Sequence, residues 1–344
     1  MEREILYEYS QGCTHRIWRH STLTQHSISG IGNEGVPVSL VAVCDKNVEQ
    51  FRSSITINLG TTSTTLPQGI HTYTDVDALL ANEDFDVADI CLPSYLHKEY
   101  TIKMLRAGKH VLCEKPMALN SSDCEEMIAT AKECDRKLMV GQCLRFDSNY
   151  RYLKSCIESD VYGKLKILFM NRLSQYPKWG FEKWFENIEK CGGCIMDTHI
   201  HDIDIAQFLL GKPQTVSTVA YDNLPHCQIV NTRLLYAEQT VIADAAWDET
   251  RLIPFEAGFH AKFEKASIIY NGTNITVFPN GKDAIIPYVP QTDRIAEEIR
   301  FFVMWITDPQ VVNTDNSYES SKQSIELVEH LCKSASLNGK YISI

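Results

Sequence analysis

The sequence has no apolar run approaching the roughly 20 residues needed to cross a bilayer. Its first residues, MEREILYEYSQGC, lack the basic-then-apolar order of an export signal. Both absences predict a soluble, cytoplasmic protein. Positive charge is in deficit, with 33 Lys plus Arg against 44 Asp plus Glu and a formal net charge of −11. A field of that sign repels phosphate backbones and argues against general nucleic-acid binding, while leaving room for a local basic patch. Internal repeats, low-complexity tracts and long linkers are also missing. What is present is the balance of a folded globular chain, 44% hydrophobic and 22% charged. At roughly 150 residues per domain, the 344 residues predict about two domains.

The 12 cysteines are even in number, but no export signal accompanies them and Cys44, Cys91 and Cys113 lie inside apolar runs. They read as buried thiols. The sequons at Asn120, Asn271 and Asn274 would carry glycan only in an exported chain.

Up to about residue 145, short apolar runs alternate with longer helical stretches. The runs are EILYEY at 4–9, VSLVAVCD at 38–45, DVADICLP at 86–93, HVLCEKP at 110–116 and KLMVGQC at 137–143. Segments such as HKEYTIKMLRAG between them carry apolar residues at helical spacing and stop on Gly108. Five βα units and a parallel sheet follow. Ser122 with Glu125 predicts a capping box for the helix after HVLCEKP. After about residue 150 the texture changes to alternating segments: KLKILFMNRLS, QTVSTVAYDN, QIVNTRLLYAE, QTVIADAAWDE, FHAKFEKASIIYNG and NITVFPNG. These predict an antiparallel sheet with one buried face, accompanied by helices at 194–210, 293–307 and 317–337. The expected architecture is α/β, with a doubly wound Rossmann domain over 1–145 and an α+β domain over 146–344 built on a large open antiparallel sheet.

A literal G-x-G-x-x-G occurs at Gly30, Gly32 and Gly35, but Val36, Pro37 and the second strand follow at once. The motif works only between a strand and a helix, where the glycines let backbone approach a pyrophosphate at the helix N-terminus. This copy therefore reads as a loop. The turn after EILYEY has the right context and reads Ser10-Gln11-Gly12-Cys13-Thr14-His15. Only the middle glycine of the fingerprint survives there, because Ser10 replaces the turn glycine and His15 the packing one. Arg16 and Arg19 open the next helix, either contacting phosphate or forming a solvated face. Asp45, ending the second strand, is placed to accept from ribose hydroxyls and to repel a 2′-phosphate. NAD is the expected cofactor, with NADP the alternative.

Three further segments are more specific. In DVADICLPSYLHKEYTIKMLRAGKHVLCEKPMALN at 86–120, Pro93, His97, Gly108 and Glu114-Lys115-Pro116 recur at characteristic intervals. The others are VGQCLRFDSNY at 140–150 and GGCIMDTHIHDIDIAQFLLG at 192–211. With the order of elements, these resemble the Gfo/Idh/MocA family (glucose-fructose oxidoreductase, inositol dehydrogenase, MocA) over nearly the whole chain. The resemblance implies NAD(P)-dependent oxidation or reduction of a sugar, polyol or related carbonyl compound. It maps the catalytic lysine onto Lys115, and the acid and histidine of the second domain onto Asp197 and His201. Ser10, Gly12, Cys13, Asp45, Glu114 and Lys115 are expected on the cofactor, with Pro93 and His97 shaping the cofactor-side crevice at a strand's carboxyl end. The chain departs from the family at the glycine loop and at Cys194, where relatives often carry a third glycine.

Residue chemistry points the same way. Asp197 and His201 are four apart, so on a helix they share a face. Oxidising a carbinol needs a base for the hydroxyl proton, and histidine titrates nearest the working pH. His201 is the expected base, with Asp197 orienting it or binding a substrate hydroxyl and Lys115 stabilising charge on the same oxygen. Arg172, Tyr176, Trp179 and Trp184 precede the helix and could line a sugar pocket or pack the sheet; His199 is a weaker substrate contact. Cys191, Cys194, His199 and His201 outline a zinc pattern whose spacing is too short, and a zinc-bound His201 could not act as a base, so no metal is expected. Alternating Phe259, Phe263 and Tyr270 suggest a sheet face for a homodimer or homotetramer. The rival reading is a dinucleotide- or sugar-sensing regulator on the same fold, motivated by the eroded Ser10–His15 loop.

Overall fold

The computed structural model describes residues 3–8, 32, 35–46, 55–57, 60–62, 69–177, 181–221, 228–250 and 253–344. By internal contact the chain divides into two compact units. One comprises Met1–Cys143, Pro177–Cys191 and Asp293–Gln323; the other comprises Leu144–Tyr176, Gly192–Thr292 and Ser324–Ile344.

The first unit contains β1 (Arg3–Glu8), β2 (Val38–Cys44), a small antiparallel hairpin of β3 (Ile55–Ile57) and β4 (Gly60–Thr62), β5 (His71–Tyr73), β6 (Val87–Ile90), β7 (His110–Glu114) and β8 (Leu138–Gly141). All but the hairpin form a six-stranded parallel sheet ordered β5-β2-β1-β6-β7-β8. The chain grows outward from β1 to one side and then resumes at β6 on the other. This reversal is the topological switch point of a doubly wound fold, and ligands on such sheets bind beyond the carboxyl ends of the strands there. Strands β6 and β8 are buried at every position, as VADI and LMVG imply for a sheet covered on both faces. Helices α1 (Val76–Asn82), α2 (His97–Arg106) and α3 (Ser121–Glu133) follow β5, β6 and β7.

The second unit contains α4 (Ser148–Glu158) and β9 (Leu165–Gln175), then α5 (Ile200–Leu210) and β10 (Thr215–Tyr221). Five further strands follow: β11 (Ile229–Leu235), β12 (Thr240–Glu249), β13 (Glu256–Phe263), β14 (Ala266–Tyr270) and β15 (Ile275–Pro279). Helix α6 (Arg294–Thr307) returns to the first unit, where Ile295, Ile299, Phe302 and Val303 pack on Val43, Val87, Leu112 and Met139. This is the i, i+4, i+7, i+8 stripe of an amphipathic helix. Helix α7 (Tyr318–Ser336) crosses the division at Gln323, and β16 (Ile342–Ser343) ends the chain. The second sheet has eight strands, ordered β15-β14-β13-β9-β12-β11-β10-β16, and is antiparallel except between β9 and β12. Its inner face is buried through Leu168, Met170, Val241, Ala243, Ala245, Phe259 and Ala261, so Phe259, expected on an exposed sheet face for self-association, is a core residue, and Phe263 is buried as well. The opposite face carries His260, Phe169, Ile242 and Arg233 in one row across β13, β9, β12 and β11.

Four expectations are corrected. The parallel sheet has a sixth member, β5, whose three residues are too few to show periodicity. Helix α3 starts at Ser121 and is capped by Asn120, whose side chain accepts from the Asp123 N–H at 2.8 Å, so Ser122 lies inside the helix and is not the cap. FHAKFEKASIIYNG forms two strands, β13 and β14, because Glu264-Lys265 turns the chain. The helix expected from 194 begins as a π-helical turn, Ile195–His199, before α5.

Candidate active site

The carboxyl edge of the parallel sheet carries one group of polar side chains. Strand β7 ends at Glu114, whose carboxylate accepts from the Lys115 N–H at 3.1 Å. Lys115 is buried, and its peptide bond to Pro116 is cis. On neighbouring β8, Gly141 pairs with Glu114, and a Cβ there would stand 3.3 Å from the Glu114 carboxyl carbon. Glycine makes room for that carboxylate. Pro93 leads into a short 3₁₀ turn, Ser94–Leu96, that starts α2 at His97. The His97 ring is 1% exposed, with Nδ1 2.6 Å from the Pro116 carbonyl oxygen and Nε2 2.7 Å from that of Leu92. Burial pushes the His97 pKa down, while the two carbonyls and the Glu114 carboxylate work against that shift.

At the other side of the switch point, Asp45 follows β2, is buried, and donates its backbone N–H to Tyr73 O at 2.9 Å. Cys91 and Cys113 are buried, and burial raises both thiols far above the range in which they would react. Trp184 packs against Phe185 with ring centroids 4.0 Å apart, and its Nε1 has no partner among the described residues. Ser10, Gly12, Cys13, His15, Arg16, Arg19 and Trp179 lie outside the described residues.

The second unit positions the other group on the π turn and α5. Asp197 is buried in the π turn and accepts from the Thr198 hydroxyl at 3.3 Å. His201 stands in the first turn of α5 and is only half-buried. The four-residue interval between them crosses from π to α winding, so they do not follow plain helical spacing. Single π turns inside helices are rare and occur often at functional sites. His199 is wholly buried, with Nε2 2.8 Å from Thr232 Oγ1 and Nδ1 without a partner among the described residues. Burial, and then the charge of Arg172, push its pKa down to about 3, so the ring is neutral.

Two fork-on ion pairs flank this turn. Arg172 on β9 donates to Asp202 at 3.0 and 2.9 Å, and burial raises the Asp202 carboxyl while Arg172 opposes that shift. Arg145 donates to Asp204 at 2.8 and 2.6 Å, and Ser324 adds a hydroxyl to the same carboxylate at 2.7 Å. Arg145, Thr232 and Ser324 were not anticipated as partners. The VGQCLRFDSNY segment draws attention to Arg145, but Asp204 lies 59 residues further on. Tyr176 makes an edge contact with Trp247 at 5.7 Å. Among the described residues no group of three His, Cys, Asp or Glu is arranged to hold a metal ion.

Comparison with known proteins settles the family. The oxidoreductase family with an NAD-binding Rossmann fold, GFO_IDH_MocA, matches residues 19–142, and the GFO/IDH/MocA C-terminal domain matches residues 150–277. The chain belongs to the Gfo/Idh/MocA family. Among its relatives, 2,7-anhydro-N-acetylneuraminate hydratase of Mediterraneibacter gnavus is 36% identical over 153 residues, 44% of this chain and 41% of the relative. Myo-inositol 2-dehydrogenase of Thermotoga maritima is 33% identical over 140 residues, 41% of this chain and 40% of the relative. The chain thus matches about two-fifths of the length of these proteins. Among solved structures, aldose-aldose oxidoreductase of Caulobacter crescentus, complexed with glycerol, shares the fold with a TM-score of 0.81. It is 20% identical, and the likeness covers 100% of both chains.

The first unit suits the family's cofactor. The switch point between β1 and β6 offers the crevice, and Asp45 presents an acid at the end of β2, where adenosine ribose hydroxyls are held in this fold.

Proposed function

We propose that this chain is an NAD-dependent oxidoreductase acting on a hydroxyl-bearing carbon of a sugar, inositol or similar compound, or on the matching carbonyl. Asp45, Pro93, Glu114 and Lys115 would hold the dinucleotide. When bound, the nicotinamide supplies an acceptor or donor for hydride. His201 takes the hydroxyl proton as the carbinol is oxidised and returns it in the reverse direction. Asp197 orients that imidazole or accepts from a neighbouring substrate hydroxyl, and Lys115 donates to the reacting oxygen and stabilises charge developing on it.

The observation that carries this reading is the division of labour on the π turn and α5. Asp202 and Asp204 are taken up by buried arginines and His199 by Thr232, while His201 alone of the two histidines retains partial exposure. A base must reach its substrate. Sugars and polyols fit the names of the relatives and the uncharged, hydroxyl-rich chemistry this set can serve. Arg172 in its ion pair, Trp184 and His199 would support the substrate region, and Trp179, expected with them, lies outside the described residues. The outward face of the eight-stranded sheet would join copies of the chain as a homodimer or homotetramer.

The test is turnover on a polyol and sugar panel with NAD. The Lys115→Ala and His201→Ala variants should each lose about 10²–10⁴-fold in kcat, the usual contribution of a positioned acid or base. Unchanged turnover in either variant would remove that residue from the proposed chemistry.

A further inference from the structure

His97 does not stand in the proposed chemistry, yet its ring joins two segments that carry it. Nδ1 lies 2.6 Å from the carbonyl oxygen of Pro116, directly after Lys115, and Nε2 lies 2.7 Å from that of Leu92, beyond the end of β6. Both partners are acceptors. A neutral imidazole has one N–H and one lone pair, so it can donate to only one of them, and its lone pair then faces the other oxygen at close range. Only the ring with two protons satisfies both carbonyls. At 1% exposure no water competes for either position.

We propose that His97 is the positioning residue of Lys115, a strap that holds the Lys115–Pro116 turn to the end of β6 by two hydrogen bonds when the ring carries two protons and by one when it carries one. Burial is the largest influence on the ring and opposes the second proton; the two carbonyls and Glu114 favour it, and Lys115 opposes it. The strap thus sets the place of the lysine on which the proposed function rests.

The test uses the full chain without cofactor. Ring nitrogen shifts of His97, assigned through bonds to its backbone and checked by their loss in His97→Gln, are followed by NMR from about pH 4 to about pH 8. Reductive methylation of Lys115 is measured by peptide mass spectrometry over the same range, with exposed Lys282 as reference. The strap predicts that the ring passes from two protons to one and that Lys115 reactivity steps by about fivefold in the same interval, the effect of one net hydrogen bond. Lys282 should lack that step, and His97→Gln should abolish it for Lys115. A ring holding one proton throughout, Lys115 tracking Lys282, or a step that survives in His97→Gln would each overturn the strap. If His97→Gln fails to fold, the coincidence of the two wild-type profiles still decides. Turnover that persists in Lys115→Ala would instead defeat the functional reading and leave the strap standing.

Discussion

At the scale of single residues, the second unit separates chemistry from scaffolding by what each side chain already holds. His199 and His201 are two residues apart, but one is sealed against Thr232 and the other is half-buried. The sealed ring has a measurable consequence. Its folded pKa, about 3, lies below the ordinary value of 6.5. The unfolded chain therefore binds one more proton between those values, and stability is full above about pH 6.5 and falls as the solution is acidified toward the folded pKa. His199→Asn should flatten the fall in Tm between pH 7 and pH 4 seen in the wild type; an unchanged slope would show that this ring does not govern it. Asp197 and His201 are proposed together from the sequence because they are close along the chain and chemically suited to each other. The arginines that occupy Asp202 and Asp204 are not legible there, since a pairing across 30 or 59 residues leaves no periodic mark.

At the scale of elements, sequence punctuation worked where one force dominated. The all-buried β6 and β8 and the apolar stripe of α6 were visible as runs and spacings. It failed where two short-range signals competed. Ser122 with Glu125 imitates a capping box, yet Asn120 takes the cap and holds Asp123 twice, through its backbone N–H and through the carboxylate at 2.8 Å. Asn120→Ala should destabilise the first unit by about 1 kcal/mol, read from denaturant midpoints, whereas Ser122→Ala should change little. A larger loss at Ser122 would return the cap to the predicted position. The π turn was invisible for a similar reason, because periodicity reports an average winding and cannot locate one wider turn.

At the scale of the whole molecule, one family domain lies within the first unit and the other mainly within the second, and the change in sequence texture near residue 150 marked the change from parallel to antiparallel sheet. The outward face of the second sheet keeps Phe169 36% exposed beside His260, with ring centroids 6.0 Å apart, and places Ile242 next in the row. A half-apolar face of this kind is suited to a second copy. Phe169→Asp should shift the sedimentation profile toward the monomer while leaving the far-ultraviolet spectrum intact. A profile identical to that of the wild type would move the self-association surface elsewhere.

The central claim is that the first unit is a working NAD site coupled to carbinol chemistry, and calorimetric titration with NADH tests it most directly. Micromolar binding is predicted, with NADPH weaker because Asp45 repels a 2′-phosphate. Asp45→Ala should weaken NADH by about tenfold to a hundredfold, as expected for losing hydrogen bonds to a charged group. A well-folded protein that takes up neither cofactor would contradict the account.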